Sequence, residues 1–124
     1  MSYKVQIIDR ERCRLKIEWE GSWSIDDAKA YEQEYKEKID SFGGKPFTVL
    51  VDQKNFNLAT QEASDILVNV CRWILKQRMD KGVVISGSPV AKLQMTRVAM
   101  KAGTYKKLKF VDNEREAWEY LGWD

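Results

Sequence analysis

At 124 residues the chain is the size of one domain, and burying roughly two-thirds of its unfolded surface supports a core without metals or crosslinks. Its 21 basic and 19 acidic residues leave a net charge of +2, too balanced to point to nucleic acid, and two cysteines do not make a disulfide framework. The absence of histidine excludes the usual zinc and non-haem iron ligand sets and the Ser-His-Asp triad.

The first residues lack the apolar core of a signal peptide, and no run approaches the roughly 18 apolar residues of a membrane span. The expectation is one soluble, cytoplasmic domain over residues 1–124, with no cofactor. Residues 12–20 alternate strictly, with Cys13, Leu15, Ile17 and Trp19 on one side and charged residues on the other, as in a strand with one wet face. A short strand at residues 5–8 precedes it, although the intervening residues lack the turn chemistry of a tight hairpin. Ser24 is placed to cap a helix whose first turn holds Asp26 and Asp27. Ala28, Tyr31, Tyr35, Ile39 and Phe42 give that helix one apolar stripe, and Gly43 and Gly44 end it.

Residues 46–52 form an apolar run ending on Asp52, the pattern of a buried parallel strand, and residues 53–60 read as a polar loop. A second helix is predicted over residues 61–79, with Ala63, Ile66, Leu67, Val70 and Ile74 inward. Residues 82–86 are a further strand. Gly87, Ser88 and Pro89 supply a turn, a cap and a first-turn proline for a third helix over residues 89–102, ended by Gly103. A last strand at residues 108–111 and an acidic helix from near Asn113, anchored by Ala117, Trp118 and Leu121, complete the order β-β-α-β-α-β-α-β-α. That order implies an α/β fold, a mixed, mostly parallel sheet packed with helices.

Ligands of open α/β sheets meet the carboxyl ends of the strands, which directs attention to Asp52, Lys54, Asn55, Asn57 and Thr60. Asp52 suits either chemistry or acceptance of loop amides, and residues 53–60 add no carboxylate for a metal. Thr60 suits a helix cap, at a position where an added phosphate would also meet free amides. Ser86, Ser88 and Lys92 form a candidate anion contact, without the glycine spacing of a nucleotide loop. Lys92, Arg97, Lys101, Lys106, Lys107 and Lys109 fall in a segment without an acid, followed by an acidic one, which suits partner steering, a membrane surface or pairing between the last two helices. Trp23 reads as a staple or loop lid, and Trp123 as a tail anchor or part of a homodimer patch.

The acid-ended strand at residues 49–52, the passage to Thr60, the helix with Ala63, Leu67 and Trp73, and the ending with Phe110, Val111, Glu116, Ala117, Trp118 and Leu121 together resemble the STAS-like (SpoIIAA-like) domains related to the sporulation anti-sigma-factor antagonist. The resemblance spans nearly the whole chain and implies a mixed sheet packed with helices in a bacterial, regulatory, protein-binding module. In regulatory members a serine at the start of the helix after the acid-ended strand is phosphorylated. Here the usual aspartate–serine pair is missing, so that role carries over only to Thr60, beside Glu62, whose charge opposes a phosphate.

Three functional expectations follow. The first is a non-catalytic interaction module with a protein partner or a second copy. The second is a carrier of a lipid or other small apolar ligand in a cleft at Trp23, Tyr31 and Tyr35, which requires a cavity of several hundred Å³. The third is an enzyme, which requires polar groups converging near Asp52 and Ser86.

Overall fold

The structure is a computed structural model and describes residues 2–124. Strands β1 (Tyr3–Asp9) and β2 (Arg14–Trp23) are followed by α1 (Ile25–Asp40), β3 (Phe47–Ala59), α2 (Gln61–Ile74), β4 (Met79–Ile85), α3 (Pro89–Ala102), β5 (Leu108–Val111) and α4 (Glu114–Leu121). The sheet runs β1-β2-β3-β4-β5, with β1 antiparallel to β2 and every other pair parallel. This is the mixed, mostly parallel α/β arrangement that the element order implies. Because strand order never reverses, right-handed crossovers place α1, α2 and α3 on one face, where α2 packs between the other two. No crossover follows β5, and α4 folds onto the opposite face against β3, β4 and β5.

Local chemistry explains the boundaries. Ser24 and Asp27 form a reciprocal capping box at α1, and Ser88 accepts from the Ala91 amide at 3.2 Å to cap α3. The β1–β2 connection is not a two-residue turn. Asp9 accepts from the Arg12 amide at 3.0 Å, and Cys13 adopts a left-handed conformation at φ 53° before the chain reverses.

The two layers divide the core. Toward α1–α3 lie Leu15, Ile17, Trp19, Val49, Val51 and Val84, while Leu50, Val83, Ile85 and Val111 meet Ala117, Leu121 and Trp123 on the α4 side. Around Trp19 the first layer is strongly aromatic. Trp19 meets Trp23, Tyr31 and Phe56 with ring centroids 4.2, 5.3 and 5.0 Å away.

Several expectations are corrected. Residues 53–59 are strand rather than loop, because β2 extends to Trp23 and pairs Glu20 with Asn55, Gly21 with Phe56 and Trp23 with Ala59. Lys54, Asn55 and Asn57 therefore stand on the outer part of β3. The second helix stops at Ile74, since Met79 is needed to pair with Phe47 at the start of β4. Trp23 is no lid: it ends β2, is buried, and donates to the Ser2 carbonyl at 3.1 Å. Trp123 is not part of an exposed dimer patch, because it is buried and donates to the Thr48 hydroxyl at 2.8 Å. Replacing it as Trp123→Ala should destabilise the fold by about 3 kcal/mol in urea unfolding, as truncation of a buried aromatic does. A loss below about 0.5 kcal/mol, the scale of a surface substitution, would show that the tail does not hold the α4 layer.

Candidate functional site

Asp52 and Gln53, adjacent in sequence, are separated by the alternation of the sheet. Glu18, Asp52 and Ile85 are register partners on adjacent strands, and Ile85 packs in the α4 core. Asp52 therefore belongs to the α4 side, where its carboxylate accepts from the Lys54 amide at 3.0 Å and pairs with Lys54 Nζ at 3.4 Å. One position further along, Trp19 and Gln53 line the α1–α3 side, and Ser86 follows the last residue of β4. Among the described residues no hydrogen bond links Asp52 and Ser86, whose hydroxyl is buried without a partner. Among the described residues no cluster of three or more acidic or thiol side chains is placed to hold a metal.

The anion contact divides in the same way. The Ser86 hydroxyl is buried, the Ser88 hydroxyl is engaged in its cap, and Lys92 is exposed a turn later, so the three do not share a surface. Gly87 between them is fixed by close approach: a Cβ there would strike the Gln53 carbonyl oxygen, so the turn is pressed against β3. Thr60 caps α2, its hydroxyl accepting from the Ala63 amide at 3.2 Å, and is itself exposed.

The carboxyl end of the sheet opens instead into a groove between α2 and α3. Its volume is about 410 Å³, and Leu58, Gln61 and Val68 face Val90, Leu93 and Arg97 across it. Gln94 locks one end, receiving the Ala59 amide at 2.9 Å and donating to the Ala59 carbonyl at 2.8 Å. This two-bond clamp holds the end of β3 against α3 and fixes Leu58 at the rim. Val90, Leu93 and Met100 are 60%, 51% and 62% exposed, while Ala91, Met95, Val98 and Ala102 of the same helix are buried. Helix α3 thus carries apolar side chains on two faces, whereas a helix with one buried stripe needs only one. The signal was present in the sequence, since Val90 and Leu93 fall off the spacing of the inward residues.

The basic residues of this region remain free. Among the described residues, Lys92, Arg97, Lys101, Lys106, Lys107 and Lys109 make no ion pair. The expected pairing between the last two helices does not form because α3 and α4 lie on opposite faces of the sheet. Glu114 instead pairs with Lys16 at 3.1 Å, and this bond holds its carboxyl below its ordinary value.

The expected cleft is an interior cavity of about 70 Å³. Tyr31 and Tyr35 line it together with Trp19, Gln53 and Cys71, while Trp23 does not. A cavity of about 150 Å³ takes benzene, so this one does not accommodate a lipid chain. Burial raises the Tyr31 and Tyr35 hydroxyls well above the ordinary value of 10.0 and pushes the Cys71 thiol up to about 11.

No family model and no curated protein matches the chain. Solved structures do match it. An uncharacterized protein of the DUF3478 family with a SpoIIAA-like fold, from Shewanella loihica PV-4, aligns with TM-score 0.71 and 18% identity over 97% of this chain and 94% of that one. The unphosphorylated anti-sigma factor antagonist SpoIIAA aligns with TM-score 0.65 and 13% identity over 97% and 96%. The phosphorylated Bacillus cell fate determinant SpoIIAA gives TM-score 0.63 and 15% identity over 96% and 98%. The fold is therefore STAS-like, as the sequence resemblance implied.

Two stability measurements test this geometry. Thr60→Ala should lower stability by about 1 kcal/mol through the lost cap, and an unchanged denaturation midpoint would show that α2 starts without it. The raised tyrosine values carry a definite sign. The unfolded chain releases these protons above about pH 10 while the folded one retains them, so stability should fall as pH rises past that point. Urea midpoints of a Tyr31→Phe/Tyr35→Phe protein should fall less steeply there, and parallel curves would place the hydroxyls in solvent.

Proposed function

We propose that this chain is a non-catalytic protein-interaction module that receives an acidic, apolar segment of a partner protein in the groove between α2 and α3. The observation that carries the reading is the stripe Val90, Leu93, Arg97, Met100 and Lys101, exposed on one side of α3 at helical spacing. Exposed apolar side chains beside cations that make no internal ion pair suit a segment combining apolar anchors with carboxylates. The groove is also held open by a rigid element, since Gln94 ties α3 to the end of β3.

The fold likeness to an anti-sigma factor antagonist is in keeping with action through a protein partner. Thr60 has a further place in this reading. It stands between Leu58 and Gln61, both of which line the groove, so a phosphate added there would meet the rim of the docking surface. Glu62 beside it would oppose that phosphate. The apolar carrier reading is not supported by a cavity of about 70 Å³, and no helix among the described residues is long and apolar enough to cross a membrane.

Site-specific crosslinking in cells of the source organism tests the proposal. A photoreactive residue at position 93 should give a discrete heterologous adduct, lost in an Arg97→Glu/Lys101→Glu protein. An adduct of twice the chain's mass would replace the heterologous partner by a second copy, and no adduct, or one indifferent to charge reversal, would overturn the reading. Val90→Asp and Leu93→Asp should each abolish the adduct formed from position 100 while changing stability by no more than about 0.5 kcal/mol, because both side chains are exposed.

A further inference from the structure

Among the described residues, three buried side-chain polar atoms have no hydrogen-bond partner: Trp19 Nε1, Gln53 Oε1 and Ser86 Oγ. Trp19 and Gln53 each stand one residue beyond the register partners Glu18 and Asp52 on adjacent strands, and Ser86 directly follows Ile85 at the end of β4. Trp19 and Gln53 are 5% and 4% exposed, and both line the interior cavity. Leaving a buried donor and a buried acceptor unmade is costly, and native interiors satisfy such groups with protein, water or ligand. The contrast with other tryptophans is direct. The indole N–H groups of Trp23, Trp118 and Trp123 donate to the Ser2 carbonyl, the Glu114 carboxylate and the Thr48 hydroxyl.

The surroundings define what would satisfy them. No charged side chain lines the cavity, so an ion entering it would lose its hydration without a counter-charge. The Tyr31 hydroxyl lies near the indole, and Tyr31 and Cys71 complete a neutral wall. At about 30 Å³ of liquid volume per water, about 70 Å³ holds about two waters or one molecule of similar bulk. Met79, Leu108 and Phe110 at the far wall are only partly buried, which brings that end toward the surface.

We propose that this cavity is a binding site for a small neutral molecule of the amide or urea class, held between Trp19 and Gln53. Its carbonyl oxygen accepts the Trp19 indole proton and its N–H donates to the Gln53 side-chain oxygen. A carboxamide at Gln53 offers both a donor and an acceptor, so a primary amide pairs with it whichever way the Gln53 amide is turned. The site is separate from the groove proposed for docking, and its test does not involve a partner.

Formamide is the probe, followed through the five tryptophan indole resonances of ¹⁵N-labelled protein, with Trp19 assigned by its loss in Trp19→Phe. A saturable shift in the millimolar range, confined among the indoles to Trp19, is expected. Formate at the same concentration should give none. Gln53→Met should abolish the response with an unfolding midpoint at or above that of the parent protein, because an apolar side chain of similar size replaces an unpartnered polar one. Cys71→Leu, which fills the cavity and leaves Gln53 intact, should also block it. A shift that is linear and shared by all five indoles, or that survives both substitutions, would overturn the proposal. So would a Trp19 indole that contacts only water and ignores formamide, which would make the cavity a hydration site.

Discussion

Strand β3 has parallel partners on both edges and helices on both faces, so each residue of its inner part is committed to one of two layers. Val49 and Val51 go to the α1–α3 layer and Leu50 to the α4 layer. A period of two leaves no intermediate choice. The same constraint governs the polar residues that follow. Asp52 goes with Leu50, and Gln53 with Val51. A carboxylate and a carboxamide adjacent in sequence therefore meet separate environments, one salt-bridged by Lys54 near the surface and one enclosed among aromatic rings. The parallel register transmits this division sideways to β2 and β4, where Glu18 and Ile85 share a face with Asp52, and Trp19 lines the other side with Gln53.

The aromatic cluster gives the enclosed face its character. Tyr3, Trp19, Trp23, Tyr31 and Phe56 make mutual edge or tilted contacts with centroid distances between 4.2 and 5.9 Å. Large flat rings bury much apolar area and meet edge to face or tilted. The cavity lies beside such a junction, at Trp19, Tyr31 and Tyr35. The cavity thus sits where the aromatic cluster meets the side chains of Gln53 and Cys71.

How far the sequence disclosed this arrangement can be argued residue by residue. The alternation of Leu15, Ile17 and Trp19 and the apolar run ending at Asp52 identify β2 and the inner part of β3, because periodicity records burial. Ser24, Thr60 and Ser88 reveal three helix starts through capping chemistry alone. The outer half of β3 was hidden because Lys54, Asn55 and Asn57 are ordinary loop residues. Its strand character comes from β2, whose free backbone edge extends to Trp23 and supplies the partner. Cross-strand register is likewise a long-range property, and without it Asp52, Ser86 and Thr60 merge into one working edge. Gln53 carried a local trace, a polar residue continuing the buried parity of Val49 and Val51.

Helices α3 and α4 show how similar side chains acquire different uses through topology. Helix α4 faces the exposed side of the β2 alternation, and Lys16 of that side finds Glu114 while Arg14 finds Asp124 at 3.1 Å. Its charges are consumed within the fold. Helix α3 lies across the sheet from every one of those acids, next to α2, whose facing residues in the groove are mainly apolar or neutral, with Asp65 bound to Gln61 at 3.0 Å. The basic stripe of α3 therefore has no internal complement to satisfy it. With Val90, Leu93 and Met100 exposed along the same side, the electrostatic and apolar demands of α3 coincide in space, and one partner segment could meet both.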